Sequence, residues 1–327
     1  MTSRGINFSI VIPLYNKGKE IGRALNSILG QSYPGYEIIV VNDGSTDDGP
    51  DIVQQFSDER IRLISQANGG AAVARNRGIA EAKYEYISFL DADDEWKPDY
   101  LDTVRSLIAG FPDAGAYATA YKMVDTDGSV SVPDYLAIPE APWEGYIPSY
   151  FKSALGPPPV WTSAVTIPKY VFDVVGGFPE GIILGQDREV WERIAMKFRI
   201  AFTNNIGATY YLDASNRSCN RNRSKERPRP FIEIAKTALK NGEIGEDKRR
   251  DFQTYLAFCQ LQRAKVFLAH LGKPSDARTI LLDTYPIRIK HMLEKSLLLL
   301  LTFVPISPLK FLWRIRAQHR KSEVRRV

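Results

Sequence analysis

Three carboxylates in four positions, Asp91, Asp93 and Asp94, close an apolar and aromatic run at residues 84–90. A run of that length and composition predicts a buried strand. Like charges at the end of such a strand repel one another and resist desolvation, so they need a cation, hydrogen-bond donors or open water. A divalent ion carrying phosphate oxygens meets that need, because Mg2+ and Mn2+ prefer oxygen ligands and often take only one or two protein carboxylates. A solvated acidic turn that caps the next helix is the other reading of the same residues. The three histidines, His270, His291 and His319, all lie in the last quarter. Acid–base chemistry in the first two thirds therefore falls to carboxylates, and a histidine-based zinc site or a Ser-His triad is not expected there.

The elements that must position these carboxylates follow from the pattern. Residues 8–14 form an unbroken apolar run that ends in Pro13-Leu14-Tyr15-Asn16, as in a strand buried on both faces. Ile21, Leu25, Ile28 and Leu29 then recur at helical spacing until Gly30 and Pro34. A second strand at 36–41 ends in Asn42-Asp43-Gly44-Ser45-Thr46-Asp47, a segment of turn formers and caps, with a helix expected over 49–56. A third strand is expected at 61–64, and Asn68-Gly69-Gly70 leads into a helix over 71–82 carrying Arg75, Asn76 and Arg77. Four alternations of strand and helix predict a mostly parallel sheet with helices on both faces. Ligands in such sheets sit beyond the carboxyl ends of the strands. Tyr15 and Asn16, Asp43, Asn68, and Asp91, Asp93 and Asp94 all fall at that edge, which favours a nucleotide and metal site over solvated loops.

Farther on, a helix is expected over 98–109, and strands at 117–124 and 129–132 flank a hairpin turn at Asp125-Thr126-Asp127-Gly128. Residues 133–160 read as an irregular connection or a loop over an acceptor pocket. A strand is expected at 163–167, a helix opening at Gly185-Gln186-Asp187, and two short strands at 199–203 and 209–212. On position alone Asp187 is an acidic residue favoured by a helix N-terminus. Six basic residues between 217 and 229 face one acid, Glu226, and read as a solvated surface or a phosphate-capturing run. From Pro230 the pattern is helical, with Leu256, Gln260, Arg263 and Phe267 sharing a face.

The chain has 327 residues, 44% hydrophobic and 25% charged, and a net charge of +5. Residues 310–327 alone hold seven basic side chains against Glu323, a net of +6, so the remainder is nearly neutral. Before that tail, residues 297–306 form an apolar run broken by Pro305 and Pro308. It is too short to span a bilayer, which takes about 20 apolar residues. With Trp313 and the basic residues it reads as an in-plane or re-entrant anchor on an anionic membrane face, or as a core or interface helix. Two cysteines, Cys219 and Cys259, give no disulfide framework, and no secretory signal opens the chain. The expected location is the cytoplasm, peripheral on the inner face of the membrane.

Ser9-Ile10-Val11-Ile12-Pro13-Leu14-Tyr15-Asn16, Val41-Asn42-Asp43-Gly44-Ser45-Thr46-Asp47, Asn68-Gly69-Gly70 with Ala74-Arg75-Asn76, and Asp91-Ala92-Asp93-Asp94 resemble the successive blocks of family 2 glycosyltransferases. The likeness in order and spacing covers about residues 7–100, with a weaker echo to 215. It implies an α/β GT-A fold, Rossmann-like, followed by a helical C-terminal region. The domains expected are a catalytic one over 1–215, a helical extension over 216–290 and a membrane-associating tail over 291–327. Position by position, the resemblance places Pro13, Tyr15 and Asn16 around the base of a nucleotide and Asp43 as acceptor of a hydrogen bond from it. Asn68, Gly70, Arg75 and Ala92 would line the same site, Asp91 the ribose side, and Asp93 would bind the metal bridging the diphosphate. Asp187 inherits the role of catalytic base, with Gln186 where the family often has glutamate.

The activity implied is inverting transfer of a sugar from a nucleotide sugar, UDP-linked, to a glycan or lipid-linked hydroxyl, with Mn2+ or Mg2+. Nucleic acid is not among the expected partners. A sugar nucleotidyltransferase would need a glycine-rich phosphate loop after the first strand, and a dehydrogenase GxGxxG at that turn; Pro13-Leu14-Tyr15-Asn16 supplies neither. A non-catalytic membrane-associated scaffold that keeps a nucleotide pocket is the remaining alternative.

Overall fold

The computed structural model describes residues 5–182, 184–213, 229–284 and 288–303. The chain divides into two compact units, residues 1–222 and 223–327. In the first, β1 (Phe8–Leu14), β2 (Tyr36–Asp43), β3 (Ile61–Gln66) and β4 (Tyr86–Phe89) pair in parallel in the spatial order β3-β2-β1-β4. Between them run α1 (Gly18–Leu29), α2 (Gly49–Gln54) and α3 (Ala71–Glu81). Every residue of β2 is buried, and β1 is buried save for a half-exposed Pro13. That accounts for their continuous apolar sequences. Along α1 the buried positions include Ile21, Leu25 and Ile28, the stripe that its spacing predicts.

Register is what turns four separate strand ends into one edge. Leu14 lies opposite Asn42, and Asp43 opposite Gln66, so the turns that follow β1, β2 and β3 leave the sheet side by side. At the other edge a buried carboxylate ties the same strands together. Glu37 accepts hydrogen bonds from Ser9 Oγ and Lys83 N, both at 2.7 Å, and from Arg62 Nη1 at 3.2 Å. Replacing it with alanine removes the acceptor of the buried Ser9 hydroxyl and of the Lys83 N–H and should cost about 2–3 kcal/mol. Urea unfolding should show this as a lower midpoint.

The second half of the sheet departs from the parallel pattern. It comprises β5 (Glu95–Trp96), β6 (Ala114–Val124), β7 (Val130–Ser131), β8 (Glu144–Tyr146), β9 (Val165–Pro168) and β10 (Arg199–Tyr211). Of these β9 runs antiparallel between β4 and β6, and β10 is parallel to β6. The two short strands expected near 199–212 are one continuous strand, β10, which keeps pairing with β6 through register shifts between Thr203 and Ala208. A break in the apolar pattern at Asn204-Asn205 marked those irregularities rather than a strand end. The hairpin forms as expected, with Asp125 O accepting from Gly128 N and Gly128 at φ 81°. Residues 133–160, expected to be irregular, contain β8 and α5 (Tyr150–Ser153).

The remaining helices of this unit are α4 (Tyr100–Gly110), α6 (Lys169–Val175) and α7 (Gln186–Lys197). In the second unit α8 (Pro230–Lys240), α9 (Glu246–Val266), α10 (Pro274–Leu282) and α11 (Ile289–Leu301) form a helical body. Leu256, Gln260 and Phe267 are buried as the shared face requires, and Leu261, Ala277, Leu281 and Leu298 join a common apolar cluster. Cys259 is a buried free thiol. Cys219, most of the basic run at 217–229, and the tail beyond 303 lie outside the described residues.

Candidate active site

The turn after β1 is held by the turn after β2. Asn16 sits at φ 52°, a left-handed conformation that asparagine tolerates better than most residues. Its Oδ1 accepts from Thr46 N at 2.7 Å, and its own N–H donates to Ser45 Oγ at 3.1 Å. The Asn16 amide is thus spent on shaping the loop, while the Tyr15 ring beside it is exposed and Pro13 pairs with Val41 at the strand end.

Asp43, almost wholly buried at the end of β2, organises the loop before α3. Its Oδ1 accepts from Gln66 Nε2 at 2.8 Å and Gly69 N at 2.9 Å, and its Oδ2 from Gly70 N at 2.8 Å. Asn68 Nδ2 donates to its main-chain oxygen at 2.8 Å. Gly70 adopts φ 93°, open to glycine at no steric cost, which lets its N–H turn toward the carboxylate. A carboxylate offers about four lone-pair directions, so Oδ2 retains one for an incoming N–H.

The three acidic residues after β4 have three different environments. Asp94 is completely buried; Ser163 Oγ donates to its Oδ2 at 2.6 Å and Tyr211 N to its Oδ1 at 3.4 Å. Burial, then Asp93 and Asp91, push its carboxyl well above the usual range. It is a structural group joining this turn to the end of β10. Asp91 is held by Arg75 Nη2 at 2.5 Å, and its N–H donates to Ser163 Oγ at 3.1 Å. Arg75 is 4% exposed, and its Nε and Nη1 have no hydrogen-bond partner among the described residues. Buried unpaired donors of an arginine are costly, and they fit a site made to receive an oxygen-rich ligand. Ala92 is buried between the two aspartates.

Asp93 receives Lys17 Nζ on Oδ2 at 2.6 Å, and Arg23 Nη2 donates to its main-chain oxygen at 2.6 Å. Arg23 in turn lies 3.7 Å from the centre of the Tyr211 ring. Burial raises the Asp93 carboxyl, with Lys17 opposing and Asp91 adding to the rise. Among the described residues no three of His, Cys, Asp and Glu group closely enough to hold a metal ion alone. A hard divalent cation at Asp93 would take one protein carboxylate and complete its shell with oxygens of water or of a ligand.

Asp187 stands in the first turn of α7, after Gly185 at φ 85°. Thr162 Oγ1 donates to its Oδ2 at 3.2 Å and Arg188 N to its Oδ1 at 2.8 Å. Consecutive residues of one short turn thus connect the two acidic centres, Thr162 binding Asp187 while Ser163 binds Asp91 and Asp94. The same turn offers Trp161, partly exposed, with ring centres 4.7 Å from Tyr121 and 4.6 Å from Tyr210. Burial, then the charges of Tyr210 and Asp187, raise the Tyr121 phenol. Gln186 has its Oε1 buried without a hydrogen-bond partner among the described residues.

Arg75 and Asp91 meet directly, as do Asp43 and the Asn68–Gly70 loop, whereas among the described residues Asp187 is linked to the other acids through Thr162 and Ser163. Sequence reasoning passed over Lys17, Arg23, Thr162 and Ser163. The signal for the last two was a pair of adjacent hydroxyls where the strand at 163–167 was expected to begin. For Lys17 the signal was a cation directly after the first strand-end turn.

The sequence model described as glycosyl transferase family 2 matches residues 9–136. TuaG of Bacillus subtilis, named for a proposed role as a glycosyltransferase of teichuronic acid biosynthesis, is 40% identical over 124 residues, 37% of this chain and 49% of its own. Glycosyltransferase GlyG of Streptococcus pneumoniae is 39% identical over 124 residues, 37% of this chain and 41% of its own. The chain thus spans less than half the length of these relatives. The crystal structure of S. aureus TarS 1–349 in complex with UDP-GlcNAc superposes with a TM-score of 0.61 at 18% identity, over 90% of this chain and 79% of that one. The mannosyltransferase PcManGT from Pyrobaculum calidifontis, in complex with GDP-Man and Mn2+, gives 0.57 at 17% identity, over 93% and 83%.

Proposed function

We propose that this chain, whose residues 9–136 match the glycosyl transferase family 2 model, transfers a sugar, with inversion, from a UDP-linked donor to a glycan or lipid-linked hydroxyl in cell-surface polysaccharide synthesis. The observation that supports this reading is the turn at Thr162 and Ser163, which bonds Asp187 through one residue and the segment carrying Asp91, Asp93 and Asp94 through the next. Tyr15 and Pro13 bound the base pocket, the spare lone pair of Asp43 accepts its N–H, and Asp91 with Arg75 serves the ribose side. Asn16, Asn68, Gly70 and Ala92 shape the walls. Asp187 takes the proton of the acceptor hydroxyl, whose oxygen attacks the anomeric carbon from the face opposite the leaving nucleoside diphosphate. A Mn2+ or Mg2+ ion at Asp93, when bound, supplies positive charge against that leaving group. Trp161, next in sequence to the Thr162 that bonds Asp187, offers a ring face to an acceptor sugar.

The relatives support the reading in kind: two are named as glycosyltransferases, and the fold neighbours were solved with UDP-GlcNAc or with GDP-Man and Mn2+. A thermal-shift screen of nucleotide sugars with Mn2+ tests it, because a ligand that binds the folded state raises its apparent stability. The donor that gives the largest shift should then release its nucleoside diphosphate when acceptor glycans are added. No shift with any donor would overturn the reading. Binding without release under any acceptor would favour a nucleotide-binding scaffold.

The same proposal places the chain on an anionic membrane surface. Among the described residues no helix is long and apolar enough to cross a membrane. On α11, however, Ile289, Met292, Leu293, Leu297 and Leu300 are each at least half exposed, and Phe303 beyond it is 70% exposed. Their spacing puts them on one face, while His291, Leu298 and Thr302 are buried on the other. The basic tail follows directly, so the apolar stripe and the positive charge both suit an anionic lipid interface. Truncation before Leu298 would damage the helical body, so the test spares it. Deleting residues 304–327, or replacing Leu293, Leu297 and Leu300 together with serine, should abolish sedimentation with anionic vesicles and leave UDP binding unchanged. Persistent vesicle binding in both variants would refute the anchor.

A further inference from the structure

We infer that Lys17 is a second cation of the donor site, which competes with the divalent ion for Asp93 and moves to the diphosphate oxygens of the donor when the ion takes the carboxylate. The inference rests on the nucleotide-sugar reading above. Its basis is an arrangement of charges in which each outer carboxylate already has its own cation: Arg75 on Asp91 at 2.5 Å and Lys17 on Asp93 at 2.6 Å.

These two cations differ in freedom. Arg75 is buried on α3 and lies 5.4 Å from the centre of the Phe178 ring, so it cannot leave Asp91 without dismantling its surroundings. Lys17 carries a compact ammonium on a flexible four-carbon stem. Its main chain is fixed: Asn16 on one side is bonded to Ser45 and Thr46, and Gly18 N on the other donates to Asp47 Oδ2 at 2.7 Å. The stem can therefore be re-aimed from a fixed main chain. Asp93 is fixed as well, through Arg23 on its main-chain oxygen.

An ammonium 2.6 Å from Oδ2 and a divalent ion on the same carboxylate repel each other, so binding of one weakens the other. The diphosphate of a nucleotide sugar arrives with the ion and brings at least two negative charges. It gives the displaced ammonium a new partner within reach of the same anchor, as lysine does at other phosphate sites. Lys17 then contributes positive charge to the departing nucleoside diphosphate alongside the ion.

Mn2+ binding to the full chain, followed by electron paramagnetic resonance, separates this role from a plain structural ion pair. Without nucleotide, Lys17→Met should bind Mn2+ about tenfold more tightly than wild type, since the competing charge is gone. With Mn2+ saturating, the same variant should bind UDP about tenfold more weakly and uridine, which lacks phosphates, equally well. Lys17→Arg keeps the charge and should stay near wild type in nucleotide-free Mn2+ affinity, which also controls for loss of fold. Unchanged or weaker Mn2+ binding by Lys17→Met would overturn the inference and leave Lys17 as a support for Asp93. Unchanged UDP affinity would overturn its diphosphate role. Failure of wild type to bind UDP or GDP, with Mn2+ binding intact, would instead sink the nucleotide-sugar reading.

Discussion

Asp187→Ala lowers turnover by about 10²–10⁴-fold, the range expected for loss of a positioned general base. UDP binding stays near wild type, because Asp187 touches Thr162 and its own helix but none of the groups assigned to the nucleotide. The pairing of these two results is what makes the experiment sharp. A substitution that merely loosened the acidic centre would also weaken UDP, through the neighbouring contacts of Ser163 with Asp91 and Asp94. Initial-rate measurements with saturating donor, alongside calorimetric titration of UDP, read both quantities. Equal turnover in wild type and variant would remove Asp187 from the mechanism and send the search for the base elsewhere.

Asp43→Asn weakens UDP binding by about 100-fold, or about 3 kcal/mol. The substitution conserves volume yet reverses one end of the side chain from acceptor to donor. Gln66 Nε2, Gly69 N and Gly70 N all donate to the native carboxylate, so an amide must turn hydrogens toward at least one of them. Hydrogen bonds to a charged acceptor contribute about 1.5–3 kcal/mol each, so the loop before α3 should loosen. Protection of the Gly69 and Gly70 amides from hydrogen exchange should fall together with UDP affinity. Retained affinity with lost protection would show that the loop matters for folding only and that Asp43 accepts nothing from the base.

The first hundred residues were legible because local pattern and tertiary role agree there. Short apolar runs rich in β-branched residues and bounded by turn formers read as strands covered on both faces, and the polar residues that follow successive parallel strands gather at one edge of the sheet. That is why β1, β2 and the Ile21–Leu25–Ile28 stripe appear where their sequence puts them. Strand β10 was misread as two strands for the opposite reason. Its continuity depends on pairing with β6 across an irregular Asn204-Asn205 segment, and pairing is a property of the partner as well as of the strand.

Within the site the division is similar. The amino-acid sequence determined by itself that this is an α/β protein with no histidine in its first two thirds, so that acid–base chemistry there falls to carboxylates, and that Asp43 and Asp91 to Asp94 follow buried strands. It left those carboxylates chemically alike. Only the tertiary structure distinguished them: Asp94 is closed off by Ser163 and the end of β10, Asp91 is matched to Arg75, and Asp93 shares its charge with Lys17. It also brought Asp187 beside them through the Thr162–Ser163 turn, nearly a hundred residues away in sequence. A carboxylate's role depends on its desolvation, its neighbouring charges and its donors, and those come from residues that are distant along the chain and adjacent only once the sheet has formed.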